Sequence, residues 1–243
     1  MSKLKLQHIS KSYGTNHVLQ DVSFHVDDGE FVSIVGPSGS GKSTLFQLIG
    51  GLYAPDHGDI TLDGNSVNNS RGHISYMPQN PSLLPWRTIL QNVLLSSEIV
   101  GSKDTGNALE LIEKAGLGGY EDAYPHQLSG GMKQRVAFIR SLNSPQSIIC
   151  LDEPFSALDE FTRFEMQGWL LAIWEDYRKS VLFITHNIDE ALYLSDRILI
   201  LSNKPASIKK EIINPFPRPR KEELLLSDEF MKLKREIHYE LRG

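Results

Sequence analysis

Cysteine and long apolar runs are scarce in this 243-residue sequence. The single cysteine, Cys150, cannot form an intrachain disulfide, and a reducing compartment is the simplest setting for it. No run of about 18 apolar residues is present, so we expect no segment to span a bilayer. The first ten residues, MSKLKLQHIS, contain no apolar stretch of signal-peptide length. We therefore expect any role at a membrane to depend on a second protein.

An excess of basic residues is also lacking, because 25 lysines and arginines stand against 30 aspartates and glutamates. Free-standing nucleic-acid-binding proteins usually carry a basic excess, so we expect no nucleic acid among the partners. The hydrophobic share of 40% is higher than that of a disordered chain. Length and composition together predict one large globular domain, or a core with a small subdomain.

Short apolar segments separated by helical patterns predict an α/β core. Residues 30–36, EFVSIVG, are typical of a buried strand that runs into a glycine-rich loop, with a helix from Lys42. Further strands are predicted in SIICLD, SVLFIT and DRILIL. Alternating apolar and polar residues in 4–9 and 22–26 predict an N-terminal antiparallel β subdomain. The predicted fold class is α/β, with a mainly parallel sheet between layers of helices.

The strand pattern stops between about residues 88 and 145, where helical spacing predicts an inserted helical subdomain. Near the end of the chain, NPFPRPRKE predicts an extended surface segment. The apolar stripe that follows predicts an amphipathic helix docked on the domain, in preference to a partner-binding helix. The stripe consists of Phe230, Leu233, Ile237 and Leu241. We divide the chain into a main domain, residues 3–204, and a C-terminal extension, residues 205–243.

The segment GPSGSGKST, residues 36–44, matches the phosphate-loop pattern G-x4-G-K-[ST]. Its glycines let the backbone curl until several N–H groups point at phosphate oxygens. Lys42 adds a positive charge for the β and γ phosphates, and Ser43 offers a hydroxyl to Mg²⁺. A Gly/Ser turn can match the pattern by chance, but here the match follows a predicted strand and opens a predicted helix. We therefore predict a nucleotide site.

Two adjacent acids, Asp152 and Glu153, end the apolar strand in SIICLDEP. Acids in this position cost desolvation energy unless a cation compensates, and beside a phosphate loop that cation is Mg²⁺. Asp152 is predicted to hold the ion, and Glu153 to polarise the attacking water as general base. Without a phosphate loop in the same chain, the two acids could equally well be solvated side chains where the strand ends in a turn. This prediction therefore depends on the phosphate loop.

A second helix start suited to an anion lies in LSGGMKQR, where Ser129, Gly130 and Gly131 precede a helix-forming run. The plain alternative is an ordinary helix cap. A nucleotide held by one phosphate loop would still expose its γ-phosphate on the other side. The second helix start could close that side with no extra charge.

Three further residues are candidates only in context. Gln79 ends the predicted strand HISYMPQ, and its amide oxygen can bind Mg²⁺ or the lytic water. His186 ends SVLFITH and can hydrogen-bond a γ-phosphate, and Tyr13 in SKSYG can stack on adenine. In isolation, a glutamine such as Gln79 is more often an ordinary surface residue, and a histidine such as His186 more often has a structural role. A tyrosine such as Tyr13 is more often an aromatic residue at the edge of the core.

Taken in their order along the chain, these motifs resemble those of the nucleotide-binding subunit of ATP-binding cassette (ABC) transporters. The resemblance extends over residues 3 to about 202. The resemblance implies the P-loop NTPase fold, with a RecA-like core, and ATP hydrolysis with Mg²⁺. It implies that ATP binds to Gly36, Pro37, Ser38, Gly39, Ser40, Gly41, Lys42, Ser43 and Thr44. Tyr13 matches the adenine-stacking aromatic of the family.

The resemblance also implies roles for the remaining candidates. Asp159, in SALD, matches the acid that crosses the dimer interface, and His186 the switch histidine. The implied catalytic set is Lys42, Gln79, Glu153 and His186, and the implied Mg²⁺ ligands are Ser43, Gln79 and Asp152. The chain departs from many relatives at Met132 and Lys133, where glutamines are common, and at Asn187, where aspartate is frequent. None of these positions supplies an essential group, so we still expect activity.

The resemblance further implies an assembly. Two copies would meet head to tail, with each ATP between one phosphate loop and the partner's Ser129, Gly130 and Gly131. A separate membrane permease would hold the pair at the cytoplasmic face of the cell membrane, and an extracytoplasmic binding protein would deliver the solute. The loop PSLLPWRTILQNV, residues 81–93, resembles that of importers for nitrate, sulfonate and taurine, a group that includes importers of thiamine pyrimidine precursors.

Two other functions remain open at this point. A soluble ABC ATPase acting on DNA or ribosomes usually carries two cassettes, a coiled-coil insertion or zinc-binding cysteines, whereas this chain has one cassette and one cysteine. A simple phosphate-loop kinase would give no role to LSGG or to His186. We therefore favour the ATPase subunit of an importer.

Overall fold

The computed structural model describes residues 2–102 and 105–242; Met1, Lys103 and Asp104 of the predicted helical subdomain, and Gly243 lie outside the described residues. Its strands are β1 (Ser2–Tyr13), β2 (Asn16–Asp27), β3 (Phe31–Val35), β4 (His57–Leu62), β5 (Asn65–Ser66), β6 (Ser75–Met77), β7 (Ile148–Asp152), β8 (Ser180–Ile184), β9 (Arg197–Leu201) and β10 (Ile208–Ile213). Its helices are α1 (Lys42–Ile49), α2 (Ile89–Val93), α3 (Leu95–Ile99), α4 (Gly106–Lys114), α5 (Gly130–Leu142), α6 (Glu160–Tyr177), α7 (Ile188–Leu194) and α8 (Asp228–Arg242).

The chain divides into two compact units. The first combines Met1–Ile74 with Ser180–Gly243, and the second is Ser75–Lys179. Residues 205–243, predicted as an extension, thus belong to the first unit, and the predicted helical subdomain lies within the second. No helix in the described part of the chain has both the length and the apolar character needed to cross a membrane.

A parallel sheet forms the centre of the first unit, where β3 pairs with β8 on one side and β9 on the other. All five residues of each of these strands are buried, as expected for a sheet covered on both faces. Ile34 of β3 lies opposite Ile184 of β8. Because the two strands run the same way, the segments that follow them leave the sheet at the same edge.

An antiparallel sheet with the strand order β2-β1-β4-β5 forms the other layer of strands in this unit. Leu4 of β1 pairs with Val26 of β2 and with Leu62 of β4. Leu4 and Val26 are fully buried, so the alternation read from the sequence marks the inner face. The predicted N-terminal antiparallel β subdomain is confirmed.

Helix α8 packs on the first unit through its apolar stripe. Phe230 and Ile237 are buried in a cluster that includes Ile198 and Ile200 of β9, and Leu233 and Leu241 pack against it. The predicted docking of an amphipathic helix is confirmed. Strand β10, antiparallel to β9, was not predicted, because only one of its six residues is buried and charged residues interrupt its apolar pattern.

The described part of the second unit contains a parallel strand pair, β6 and β7, and the helices α2 to α6. Tyr76 lies opposite Cys150, and all of β7 is buried. The strand predicted over HISYMPQ is shorter than expected, because only Ser75–Met77 are paired. Helices α2 to α5 fill the region from residue 88 to 145, so its described part is helical as predicted. Phe138 of α5 contacts Trp169 of α6 edge to face, with ring centroids 5.5 Å apart.

Candidate functional site

The phosphate loop connects β3 to α1 in the first unit. Gly39 and Gly41 have φ of +77° and +104°, a region that favours glycine. A Cβ on Gly41 would lie 2.8 Å from Val18 Cγ1 and 3.0 Å from Leu19 Cδ2, so β2 leaves no room for a side chain there. Gly41 also caps α1, whose first turn contains no acidic residue. The loop therefore presents the positive end of a helix.

Lys42 lies inside the curl of this loop. Its Nζ donates to the carbonyl oxygens of Gly36, at 2.8 Å, and Pro37, at 2.9 Å, and the residue is only 7% exposed. Ser40 Oγ is buried and has no hydrogen-bond partner among the described residues. Ser43, the second residue of α1, is exposed. A phosphate ligand would suit this loop. The ammonium of Lys42 supplies positive charge, the buried hydroxyl of Ser40 can donate a hydrogen bond, and the curved backbone can direct N–H groups at the phosphate oxygens.

His186 lies at the same edge of the sheet as the start of the phosphate loop. It follows β8, and the N–H of Thr185 donates to Ile34 O at 3.3 Å. His186 is exposed. The next residue, Asn187, accepts from the N–H of Asp189 at 2.8 Å and caps α7. The departure from the family pattern at Asn187 is therefore a change of helix cap.

Tyr13 ends β1 and keeps 42% of its surface exposed. Its ring meets that of Tyr53 edge to face, with centroids 6.1 Å apart, and the Nζ of Lys11 lies 5.6 Å from its centroid. An exposed ring held by neighbours in this way can serve as a stacking platform. Sequence reasoning missed both Lys11 and Tyr53, because neither belongs to a motif.

The two acids of the second unit lie at the end of β7. Asp152 is 9% exposed, and its Oδ2 accepts a hydrogen bond from the hydroxyl of Tyr76 at 3.0 Å. Burial, and secondly the charge of Asp152, raise the pKa of Tyr76 above its usual value, so the tyrosine stays a donor. Glu153 has φ of +44°, which is uncommon for any residue except glycine. Sequence reasoning missed Tyr76.

Gln79 is linked to Glu153 through Ser156. The Nε2 of Gln79 donates to Ser156 Oγ at 3.0 Å, and this hydroxyl donates to Glu153 O at 2.9 Å. Gln134 of α5 donates from Nε2 to Gln79 O at 3.5 Å. The second unit thus brings Gln79 and Glu153 into one hydrogen-bonded chain. Ser156 was missed, since it lies 77 residues from Gln79.

The second helix start is built by the serine and glycines of LSGG. Ser129 caps α5, and its Oγ accepts from the N–H of Met132 at 3.3 Å, which leaves the hydroxyl proton available. A Cβ on Gly130 would meet nothing within 4 Å, and one on Gly131 would lie 3.3 Å from Thr162 Cγ2. Nothing in the described packing requires glycine at residue 130, and Ser129 and Gly130 are exposed.

Asp159 caps the neighbouring helix α6. Its Oδ1 accepts from the N–H of Thr162 at 3.0 Å. This hydrogen bond is the main cause that holds the pKa of Asp159 below its usual value. The carboxylate is exposed and ionised at neutral pH, so it is available to a partner as a hydrogen-bond acceptor.

The loop before α2 is held from two sides. Asn92 is fully buried; its Oδ1 accepts from the N–H of Leu84 at 2.8 Å and its Nδ2 donates to Thr88 O at 3.0 Å. Arg140 of α5 donates to Pro81 O at 2.8 Å. Trp86, in the middle of the loop, is 71% exposed. A rigid loop therefore presents a large aromatic side chain to solvent.

Comparison with known proteins gives consistent matches. The model of the ABC transporter family matches residues 19–156. The aliphatic sulfonates import ATP-binding protein SsuB of Bacillus cereus is 39% identical over 231 residues, which is 95% of this chain and 91% of that protein. The bicarbonate transport ATP-binding protein CmpD of Synechococcus elongatus is 41% identical over 235 residues, 93% of this chain and 84% of that protein.

Among solved structures, the dimeric structure of MJ0796, a bacterial ABC transporter cassette, is 32% identical, with a TM-score of 0.75. It covers 88% of this chain and is itself covered completely. A second dimeric structure of the same cassette, in a post-hydrolysis state bound to ADP and Pi, has a TM-score of 0.73 over the same share of both chains. These neighbours confirm the predicted α/β P-loop NTPase fold.

Proposed function

This chain belongs to the ABC transporter family, and from that premise we propose that it hydrolyses ATP to power a separate membrane permease that imports a small solute. The observation that carries the proposal is the presence of two anion-binding helix starts in one chain. The phosphate loop supplies the first, and Ser129 with Gly130 supplies the second. An ordinary helix cap would need no glycine at residue 130, where a side chain would meet no neighbour.

The first unit supplies groups for binding the nucleotide. The N–H groups of residues 36–44 and the ammonium of Lys42 bind the phosphates. Tyr13 stacks on the adenine, and His186 hydrogen-bonds the γ-phosphate at the sheet edge where the phosphate loop begins. The position of Lys42 within the loop and the exposure of Tyr13 and His186 support these roles.

Hydrolysis is assigned to Ser43 of α1 and to groups at the ends of β6 and β7. The hydroxyl of Ser43, the amide oxygen of Gln79 and the carboxylate of Asp152 are hard oxygen donors that suit Mg²⁺, which supplies positive charge against the phosphates when bound. Glu153 accepts the proton of the attacking water at its carboxylate. The hydrogen-bonded link through Ser156 supports a coupled orientation of Gln79 and Glu153.

A second copy of this chain completes each site. Ser129 and the N–H groups of Gly130 and Gly131 of one copy bind the γ-phosphate held by the phosphate loop of the other, and a two-fold pair forms both sites at once. Asp159 crosses the interface between the copies. Loss of the bridging phosphate loosens the pair, and this movement is transmitted to the permease.

The permease holds this subunit at the cytoplasmic face of the membrane, and an extracytoplasmic binding protein delivers the solute. The loop that carries Trp86, with the helices around it, receives a short permease helix. Because SsuB and CmpD are named for sulfonate import and bicarbonate transport, we assign the solute to small anions of the nitrate, sulfonate or taurine type. A thiamine pyrimidine precursor, which belongs to a different chemical class, is the alternative solute.

Complementation between two inactive variants tests the shared site. Lys42→Ala removes the phosphate-loop ammonium, and Ser129→Arg blocks the second helix start, so we expect neither variant to hydrolyse ATP alone. In an equal mixture, half of the pairs contain one of each and keep one intact site, which predicts about a quarter of the wild-type rate. Mixtures as inactive as the separate variants, although mass measurements show mixed pairs, would refute a site built from two copies.

A further inference from the structure

Lys11 has an unusual environment for a lysine of the outer sheet. Its side chain is only 14% exposed, and its Nζ donates to Asp56 Oδ1 at 2.7 Å and to Ala54 O at 2.8 Å. The same nitrogen lies 5.6 Å from the ring centroid of Tyr13. One ammonium group therefore contacts both the stacking platform and the segment that follows α1.

Asp56 ties the same segment to the backbone beside Tyr13. Its Oδ2 accepts from the N–H of Ser12 at 2.7 Å, and its own N–H donates to Ser10 O at 2.9 Å. The hydrogen bond from Lys11, and then that from Ser12, hold the pKa of Asp56 below its usual value. The carboxylate thus stays charged, and it joins the side chain of Lys11 to the end of β1.

The segment that carries Asp56 is anchored on α1. The N–H of Gly51 donates to Leu48 O at 3.0 Å, and that of Leu52 to Gln47 O at 2.9 Å. Tyr53, next in the chain, contacts the ring of Tyr13. Helix α1 begins at the phosphate loop and has eight residues, so it spans about 12 Å. A short rigid path therefore runs from the phosphate loop through α1 to Tyr13.

We infer that Lys11 and Asp56 are positioning residues that hold the Tyr13 ring at a fixed place relative to the phosphate loop, so that the base of a bound nucleotide stacks on it. The inference deepens the proposed function and depends on nucleotide binding at this loop. The pair acts on the base alone, because neither residue belongs to the phosphate loop. Removing either residue weakens a ligand that has a base and spares one that has only phosphates.

Calorimetric titration of the full chain with ADP and with inorganic pyrophosphate separates the two effects, because ADP carries a base and pyrophosphate has phosphates alone. For Tyr13→Ala we expect the ADP dissociation constant to rise at least about fivefold, the usual value of base stacking. For Lys11→Met and Asp56→Asn we expect a rise of about three- to tenfold. The pyrophosphate constants stay within about twofold of wild type, and Lys11→Arg, which keeps a cation beside the ring, loses less ADP affinity than Lys11→Met.

Lys3→Met is a matched control, because Lys3 lies on the same strand and pairs with Asp63 at 3.0 Å, far from Tyr13. It leaves both dissociation constants unchanged.

A double variant provides the sharper readout. If Lys11 acts through the ring, Lys11→Met adds no further loss of ADP affinity to Tyr13→Ala.

Three results would overturn the inference. Lys11→Met could weaken pyrophosphate as much as ADP, which would show a general loss of structure. Lys11→Met could reduce the ADP affinity equally in the wild-type and the Tyr13→Ala backgrounds, which would show that Lys11 does not act through stacking on the ring. Equal ADP affinity of wild type and Tyr13→Ala would remove the stacking role and leave nucleotide binding intact. A wild-type protein that binds neither ligand would instead contradict the proposed function, and this inference with it.

Discussion

Glu153 is held in a backbone conformation that residues with side chains rarely adopt, with φ of +44°. Such a conformation costs about 1–3 kcal/mol, and it persists only where neighbours enforce it. Here Ser156 contributes two hydrogen bonds to Glu153 O, from its hydroxyl at 2.9 Å and from its N–H at 3.2 Å. The turn after β7 therefore fixes the backbone of Glu153, which supports the general-base role proposed for its carboxylate.

Glu153→Gln keeps the shape of this side chain and removes its ability to take a proton. We expect steady ATP hydrolysis to fall by at least about 100-fold, because general-base catalysis contributes that much or more. Binding does not need the carboxylate, so the variant should form a stable pair with ATP and remain a monomer, or a weakly associated chain, without it. Phosphate release and light scattering measure the two effects. Glu165→Gln, an exposed position on α6, is the control. Full turnover by Glu153→Gln would remove this residue from the mechanism.

Ser156→Ala breaks the link between Gln79 and Glu153 and leaves both side chains in place. We expect the hydrolysis rate to fall about tenfold, because the base loses its orientation, while the ATP dissociation constant changes less than about twofold. Pre-steady-state phosphate release and equilibrium titration separate the two quantities. Ser156→Thr, which keeps the hydroxyl, should recover most of the rate. An unaltered rate in the alanine variant would mean that the link has no catalytic role.

The places of the motif residues at strand and helix ends could be predicted from sequence, and their supporting contacts could not. Asp152 and Glu153 were recognisable because a buried strand and two acids are adjacent in the chain. Tyr76 and Ser156 were not, since each contacts a partner 76 or more residues away, and no spacing rule predicts such a pair. Lys11 is a similar case, because it meets Asp56 45 residues later.

At the scale of elements, burial on both faces decided which strands were predictable. β3, β7, β8 and β9 are buried throughout, so their apolar runs were unambiguous. β10 lies at the sheet edge with charged residues facing solvent, and its sequence is as typical of a loop as of a strand. Only tertiary pairing with β9 makes it a strand.

Lys179 shows how one buried charge joins elements of the second unit. It follows α6, and its Nζ donates to the carbonyl oxygens of Ser144 and Gln146, which lie between α5 and β7. Burial lowers the pKa of Lys179 to about 8, from an ordinary value of 10.5. The folded protein therefore releases this proton at a lower pH than the unfolded chain does.

This difference predicts a pH dependence of stability. Between pH 8 and about 10.5 the unfolded chain binds more protons at Lys179 than the folded protein does. The free energy of unfolding therefore increases as pH rises through this range. Relative to Lys179→Met, the wild-type protein should become more stable from pH 7.5 to pH 10, as measured by urea unfolding. Lys114→Met is a control with a constant difference over this range, because hydrogen bonds to Glu110 and Asp176 raise the pKa of Lys114 above its ordinary value of 10.5, and Lys114 is then protonated in both the folded and the unfolded chain. A constant difference between wild type and Lys179→Met would contradict the lowered pKa.

At the scale of the whole molecule, the proposed function requires the surface of the subunit to bind both a second copy and a permease. The groups assigned to the second copy, Ser129 and Asp159, cap two neighbouring helices, α5 and α6. Trp86 lies on a separate loop before α2, fixed by Asn92 and Arg140. No sequence pattern distinguishes a tryptophan that packs in a core from one that meets a partner, so the exposure of Trp86 had to come from the structure.

Trp86→Ala should separate coupling from chemistry. An exposed aromatic anchor on a rigid loop is typical of binding hot spots, whose loss costs about 2 kcal/mol, or about 30-fold in affinity. We expect the isolated variant to hydrolyse ATP within about twofold of wild type, since Trp86 belongs to none of the motifs assigned to the nucleotide. Binding to a permease encoded beside this gene, purified in lipid discs, should weaken about 30-fold, and stimulation of ATP hydrolysis by that permease should be lost.

Tyr239→Ala, an 83% exposed aromatic on α8, is the matched control and should bind the permease normally. Equal permease affinity of Trp86→Ala and wild type would exclude the loop as the docking surface and leave the ATPase assignment untouched.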